Sequence, residues 1–111
     1  MGEPRSLTGS PVDSAQHALR DVDVRGWARR FGLLADPNRL EILLCLHRWP
    51  GISVGELATA TGRSENAISQ ALRLLRHEGC VEATRVGRSV TYRLTDPVIH
   101  EALHAIGARH P

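Results

Sequence analysis

The stretch SVGELATATGRSENAISQALRLLRHEGCVEATRVGRSVTYRL, residues 53–94, decides how this chain folds. Ser53 followed three residues on by Glu56 is a capping box, and it opens a short helix with Leu57 and Ala58 on its inner side. Thr61-Gly62-Arg63-Ser64 then turns the chain into a second helix, predicted over about residues 65–77. Ile68, Ala71, Leu72 and Leu75 recur there at helical spacing on one face, while Asn66, Ser69, Gln70 and Arg73 project from the other. Two helices joined by a short turn containing Gly form a helix-turn-helix. Gly79 stops the second helix. Residues 81–86 and 89–94, rich in Val, Thr and Tyr and separated by Gly87-Arg88, read as a β-hairpin that follows directly, which makes it a wing tipped by Arg85 and Arg88.

Outward from this centre the chain reads as helices. Ser10-Pro11-Val12-Asp13 is a helix start, with Pro in the first turn and an acid behind it, and Val12, Ala15, Leu19 and Val22 make an apolar stripe. A second helix is expected from about Val24 to Ala35 with Trp27, Phe31 and Leu34 inward. Asp36-Pro37 caps a third, which runs to about His47 and buries Leu40, Leu43, Leu44 and Leu46 before Trp49-Pro50-Gly51 breaks it. Asp96-Pro97 starts a last helix carrying Val98, Ile99, Ala102, Leu103 and Ile106 on one side. The expected fold is mainly α with a β-hairpin wing, a winged helix-turn-helix over residues 11–108 behind a disordered tail over residues 1–10. The stripes on the first and last helices exceed what one small winged helix covers, so a homodimer is expected.

Composition limits the alternatives. A chain of 111 residues, 41% of them hydrophobic, buries one modest core and leaves no room for a separate catalytic domain. Its longest apolar runs, such as Ile42 to Leu46, fall short of the roughly 18 to 20 residues of a membrane span. The opening MGEPRSLTGSP lacks the apolar segment of a secretory signal, so a cytoplasmic protein without a membrane partner is expected. Cys45 and Cys80 sit in no metal or redox spacing and read as reduced thiols. Net charge is only +2, but it is unevenly placed: residues 63–93 carry six Arg against three Glu. A local basic surface is what a phosphate backbone attracts, and with no Lys in the chain every basic side chain is a planar fork able to grip phosphate or guanine. Ser64, Asn66, Ser69, Gln70 and Arg73 on the second helix of the pair, with Arg85 and Arg88 on the hairpin, are the candidate contacts to double-stranded operator DNA.

At this point FGLLADPNRLEILLCL and the 54–94 segment together closely resemble the ArsR/SmtB family of bacterial metal-sensing repressors, over about residues 27–106. The resemblance implies a dimeric winged-helix transcriptional regulator whose first and last helices form the interface. It also implies operator contacts at Ser69 and Gln70, with one departure: Ala71 stands where the family commonly has His. The family's Cys-x-Cys site is absent, since the matching helix reads VGELATA, and a sensor of thiophilic ions is not expected. The family's other site, on the last helix, is matched only by Asp96, because Val98 stands where its first His belongs and Arg109 near its later one.

The chain offers histidines of its own. His100 and His104 lie four apart on one helix face, with His17 on the first helix as a further ligand and Glu101 and His110 as additions. Nitrogen and oxygen donors suit nickel, zinc or cobalt. The alternative is that these are solvated surface histidines on a metal-independent regulator or a protein-interaction module. His47 and His77, near helix C-termini, need no role beyond the helix dipole. His100-Glu101-Ala102-Leu103-His104 also matches the H-E-x-x-H pattern of zinc hydrolases, although little chain follows it to supply a third ligand or a cleft. The expectation is therefore of a non-enzyme.

Overall fold

A computed structural model describes residues 9–110, so the tail expected over residues 1–10 lies mostly outside the described residues. The chain divides into two compact units, Met1–Phe31 and Gly32–Pro111. In the first, α1 (Pro11–Asp21) starts where Ser10 accepts a hydrogen bond from the Asp13 amide at 3.2 Å. No residue of α1 is buried. α2 (Val24–Leu34) begins in this unit, where Trp27 and Phe31 pack ring to ring at 5.5 Å. Trp27 and Phe31 remain exposed, against the expectation that they face inward, whereas Leu33 is buried and Leu34, as expected, packs partly covered against the core.

The second unit holds the core. α3 (Pro37–Arg48) is capped by the Asp36 carboxylate, which accepts from the Arg39 amide at 3.0 Å. It buries Ile42, Leu43, Leu46 and His47, while Leu40 and Leu44 are only partly covered. β1 (Ile52–Ser53) leads into α4 (Val54–Thr61), whose capping box is complete: Ser53 accepts from the Glu56 amide, and the Glu56 carboxylate accepts from the Ser53 amide at 3.0 Å. That bond holds Glu56 below the ordinary carboxylate range. α5 (Glu65–His77) follows after Gly62 and ends at Gly79, which has φ +78°. The Gly79 amide donates to the Arg76 carbonyl and the Cys80 amide to Leu75, a Schellman closure that turns the chain straight into a strand.

β2 (Val81–Val86) and β3 (Ser89–Leu94) pair antiparallel from Val81↔Leu94 to Val86↔Ser89, so Gly87-Arg88 is a two-residue turn with Gly at its first position. β1 adds to the other edge of β3, giving the order β1-β3-β2, a third strand that hydrophobic patterning did not reveal. α6 (Pro97–Ala105) starts at Asp96, whose carboxylate accepts from the amides of Val98 and Ile99. Ile99 and Leu103 of α6 are wholly buried with Leu43, Leu46, Leu57, Ile68, Leu72 and Leu75. Leu103 thus belongs to the chain's own core rather than to a stripe left over for a partner, whereas Ile106 is 64% exposed. Among the described residues no helix is long and apolar enough to cross a membrane.

Candidate nucleic-acid interface and histidine cluster

α5 divides its side chains by chemistry. Ile68, Ala71, Leu72 and Leu75 are buried, and Asn66, Ser69, Gln70 and Arg73 are exposed. Ser64 is exposed as well, and its hydroxyl oxygen accepts from the Ala67 amide at 3.0 Å, so it caps the helix while facing solvent. Arg85 and Arg88 stand exposed at the end of the hairpin. All seven residues named from sequence therefore lie at the surface, five at α5 and two on the hairpin. The basic surface is smaller than the composition indicated, because Arg63 pairs with Glu41 at 3.3 Å and Arg93 with Glu82 at 3.7 Å. Among the described residues Arg73, Arg76, Arg85 and Arg88 have no carboxylate partner, and their charge is available to an anion.

A second constellation lies away from α5. His47 in the last turn of α3, His100 and His104 on α6, and His110 beyond α6 converge so that one ring nitrogen from each falls within 4.8 Å of the others. His110 stacks on His47 with ring centroids 4.2 Å apart, and His104 meets His47 edge-on at 4.5 Å. His100 lies 4.7 Å from both His47 and His104. Two backbone devices deliver His110. The chain reverses at Gly107 (φ +107°), where Ala108 donates to Leu103 and Gly107 to His104 in a second Schellman closure. Arg48, one residue past His47, then donates from its guanidinium to the carbonyl of His110 at 2.9 Å and of Arg109 at 3.4 Å.

His47 is the unusual member. Only 2% exposed, it has no hydrogen-bond partner for either ring nitrogen. Burial, and then His110, His104 and His100, pushes it below the ordinary histidine range, so it is neutral at pH 7. The sequence points to His100 and His104 with His110 as an addition, and the structure gathers all three. His47, at the end of α3, lies with them. The signal was present: His47 stands one turn beyond Leu43, on the buried face of α3. His17 is on α1, in the first unit, where its Nδ1 is 2.8 Å from the Asp13 carbonyl. Asp96, the single match to the family's last-helix site, has its carboxylate engaged as the α6 cap. Glu101 is exposed and not part of the cluster.

A helix pair joined by a glycine turn, with an exposed polar face on its second helix and an Arg-tipped hairpin behind it, defines a winged helix-turn-helix protein. The helix-turn-helix domain family matches residues 34–82. The chain is 38% identical over 101 residues to the HTH-type transcriptional regulator NmtR of Mycobacterium tuberculosis, covering 91% of this chain and 78% of that one. The AntR antimony-specific transcriptional repressor superposes with a TM-score of 0.70 at 28% identity, over 95% of this chain and 88% of that one. The homodimeric winged helix-turn-helix domain of Mb0332 from Mycobacterium bovis, described as a possible ArsR-family regulator, does so at 0.66 and 28%, over 89% and 84%. The chain belongs to the ArsR/SmtB family of winged-helix transcriptional regulators, which are DNA-binding proteins rather than enzymes.

Proposed function

We propose that this regulator acts as a homodimer on an inverted-repeat operator, with α5 in the major groove and the β2–β3 hairpin against the flanking backbone. The observation that carries this reading is the division of α5, whose apolar face is buried in the core while Ser64, Asn66, Ser69, Gln70 and Arg73 are left to solvent. Asn66 and Gln70 have the donor–acceptor pairs that read base edges; Arg73, Arg85 and Arg88 are suited to phosphate, with Ser64 and Ser69 as short donors between them. The dimer is supported by exposed Val12, Leu19 and Val22 on α1 and Ile106 after α6, and by the homodimeric state of the Mb0332 domain.

A transition metal, nickel, zinc or cobalt, is the proposed input, held through His100 and His104. His17, with Nδ1 placed to donate to a backbone carbonyl and Nε2 left as ligand atom, is the further donor that the sequence suggested. A single pair of variants tests the DNA reading. On a sequence selected from a random duplex library, Gln70→Ala relaxes base preference by roughly 1 to 3 kcal/mol. Arg73→Ala weakens all sequences alike and lowers the salt slope by about one unit. Binding with no salt dependence, or none to any duplex, refutes the assignment and points to a protein-interaction module.

A further inference from the structure

We propose that His47, His100, His104 and His110 of a single chain form a closed, four-nitrogen site for a divalent transition ion, fastening the segment after α6 to the end of α3. The proposal deepens the metal reading above and rests on it for regulatory meaning. It differs in its ligands, because the set is complete within one chain and without His17.

Three observations carry it. The first is the donor set itself, four imidazoles and no carboxylate with their nitrogens within 4.8 Å of one another. A tetrahedral zinc site with Zn–N bonds of about 2.0–2.1 Å has ligand atoms about 3.4 Å apart, so the ring nitrogens need close by about 1.4 Å at most. His104 and His110 are exposed and have room to make that movement. The second is His47, buried with both nitrogens unpartnered. A buried polar group without a partner is costly, and a coordinate bond would give one of the two His47 nitrogens the partner that the protein does not supply. The third is the machinery that brings His110 back: the Gly107 reversal, which also seats Ala108 against the core, and the Arg48 clamp together set the His110 ring on His47.

The same chemistry sets the class of ion. Four neutral nitrogens favour borderline ions such as zinc, cobalt and nickel over magnesium or calcium, which take oxygen. Four protein ligands also fill a tetrahedral shell, whereas hydrolytic zinc keeps a position open. The H-E-x-x-H pattern at residues 100–104 is thus accounted for by ligation without catalysis. Because α3 packs on α4 and α5 as well as α6, an ion at its end ties α6 to the helix that supports the reading helix.

The test uses the full chain, freed of metal, titrated with zinc chloride against a chromophoric chelator and with cobalt chloride read by visible absorption. The expected result is one ion per chain with the intense absorption of four-coordinate cobalt. His104→Ala and His110→Ala, at exposed positions that do not affect folding, each lower zinc affinity by more than about a hundredfold, beyond the 10–100-fold that loss of an outer contact produces. His47→Gln does the same, with a thermal melt before metal addition to show that it is folded. His17→Ala and His77→Ala match the wild type. The proposal is overturned if His110→Ala and folded His47→Gln bind both ions like the wild type, or if one ion binds per two chains and His17→Ala abolishes it. Operator affinity of the metal-free chain is measured in parallel. Loss of metal in the histidine variants with no DNA binding by any form refutes the regulatory reading and leaves the site standing.

Discussion

His47 concentrates the chemistry of this molecule at a single residue. Its depressed titration means that the native state resists a proton that the unfolded chain accepts near pH 6.5. Stability of the metal-free protein is therefore complete above about pH 6.5 and is lost as pH falls below that value toward the depressed native one. Urea midpoints measured in chelator between pH 7.5 and about 5 should fall, and His47→Leu should flatten that fall, since leucine fills the site without a proton to bind. Equal slopes in the two proteins would show that some other group dominates. Arg48 acts on the same cluster through the backbone. Arg48→Gln releases the carbonyls of Arg109 and His110 and should reduce zinc affinity about 10–100-fold, with the melting temperature of the metal-free chain nearly unchanged. Cys45, by contrast, is raised by burial and then by Glu41, so its thiol stays protonated and should alkylate more slowly than a free cysteine at pH 8.

At the scale of elements, Ser64 separates stability from recognition. Its hydroxyl caps α5, so Ser64→Ala should cost about 0.5–2 kcal/mol in chemical denaturation. Ser64→Asp keeps a good cap but sets a negative charge beside the expected phosphates, and should weaken operator binding with little loss of stability. α6 offers the complementary contrast. Leu103→Ala should cost about 2–5 kcal/mol, as removal of a wholly buried leucine does, while Ile106→Ala should leave the fold of the single chain nearly unchanged and act only on pairing. Elements like these show what was legible in the sequence. Ser10, Asp36, Ser53, Ser64 and Asp96 all cap the helices they were read to start, because capping is settled within four residues. The Gly87-Arg88 turn fixed the hairpin register for the same reason. β1 was not legible, since two residues carry no periodicity and their pairing with Thr91 and Tyr92 is made across 38 positions or more of chain. Phe31 and Leu103 changed sides because an apolar stripe shows which residues share a face without saying what covers that face. The candidate metal site was half legible: His100 and His104 meet by helical spacing, but His47 and His110 join them only through the packing of α3 on α6 and the turn at Gly107.

The molecule as a whole leaves apolar surface that one chain does not cover. Val12 and Leu19 are 63% and 66% exposed on α1, and Ile106 is 64% exposed after α6. Two-fold pairing through such residues would place two copies of α5 about 34–36 Å apart, one turn of B-DNA, which is why an inverted repeat with half-sites about 10 base pairs apart is expected. Leu19→Asp and Ile106→Asp should yield folded monomers by sedimentation, because neither residue contributes to the core of its own chain. Each monomer engages one half-site, so its salt slope should fall to about half that of the dimer and its footprint should lose dyad symmetry. If the histidine site lies within one chain, these monomers keep their zinc affinity while losing any effect of zinc on cooperative operator binding. In the dimer the two equilibria are linked: a tenfold change in operator affinity on zinc binding, about 1.4 kcal/mol, must appear as the same tenfold change in zinc affinity on operator binding. A monomer that kept the coupling would place the metal's effect inside the reading unit, transmitted from α3 to α5, instead of in the geometry between two chains.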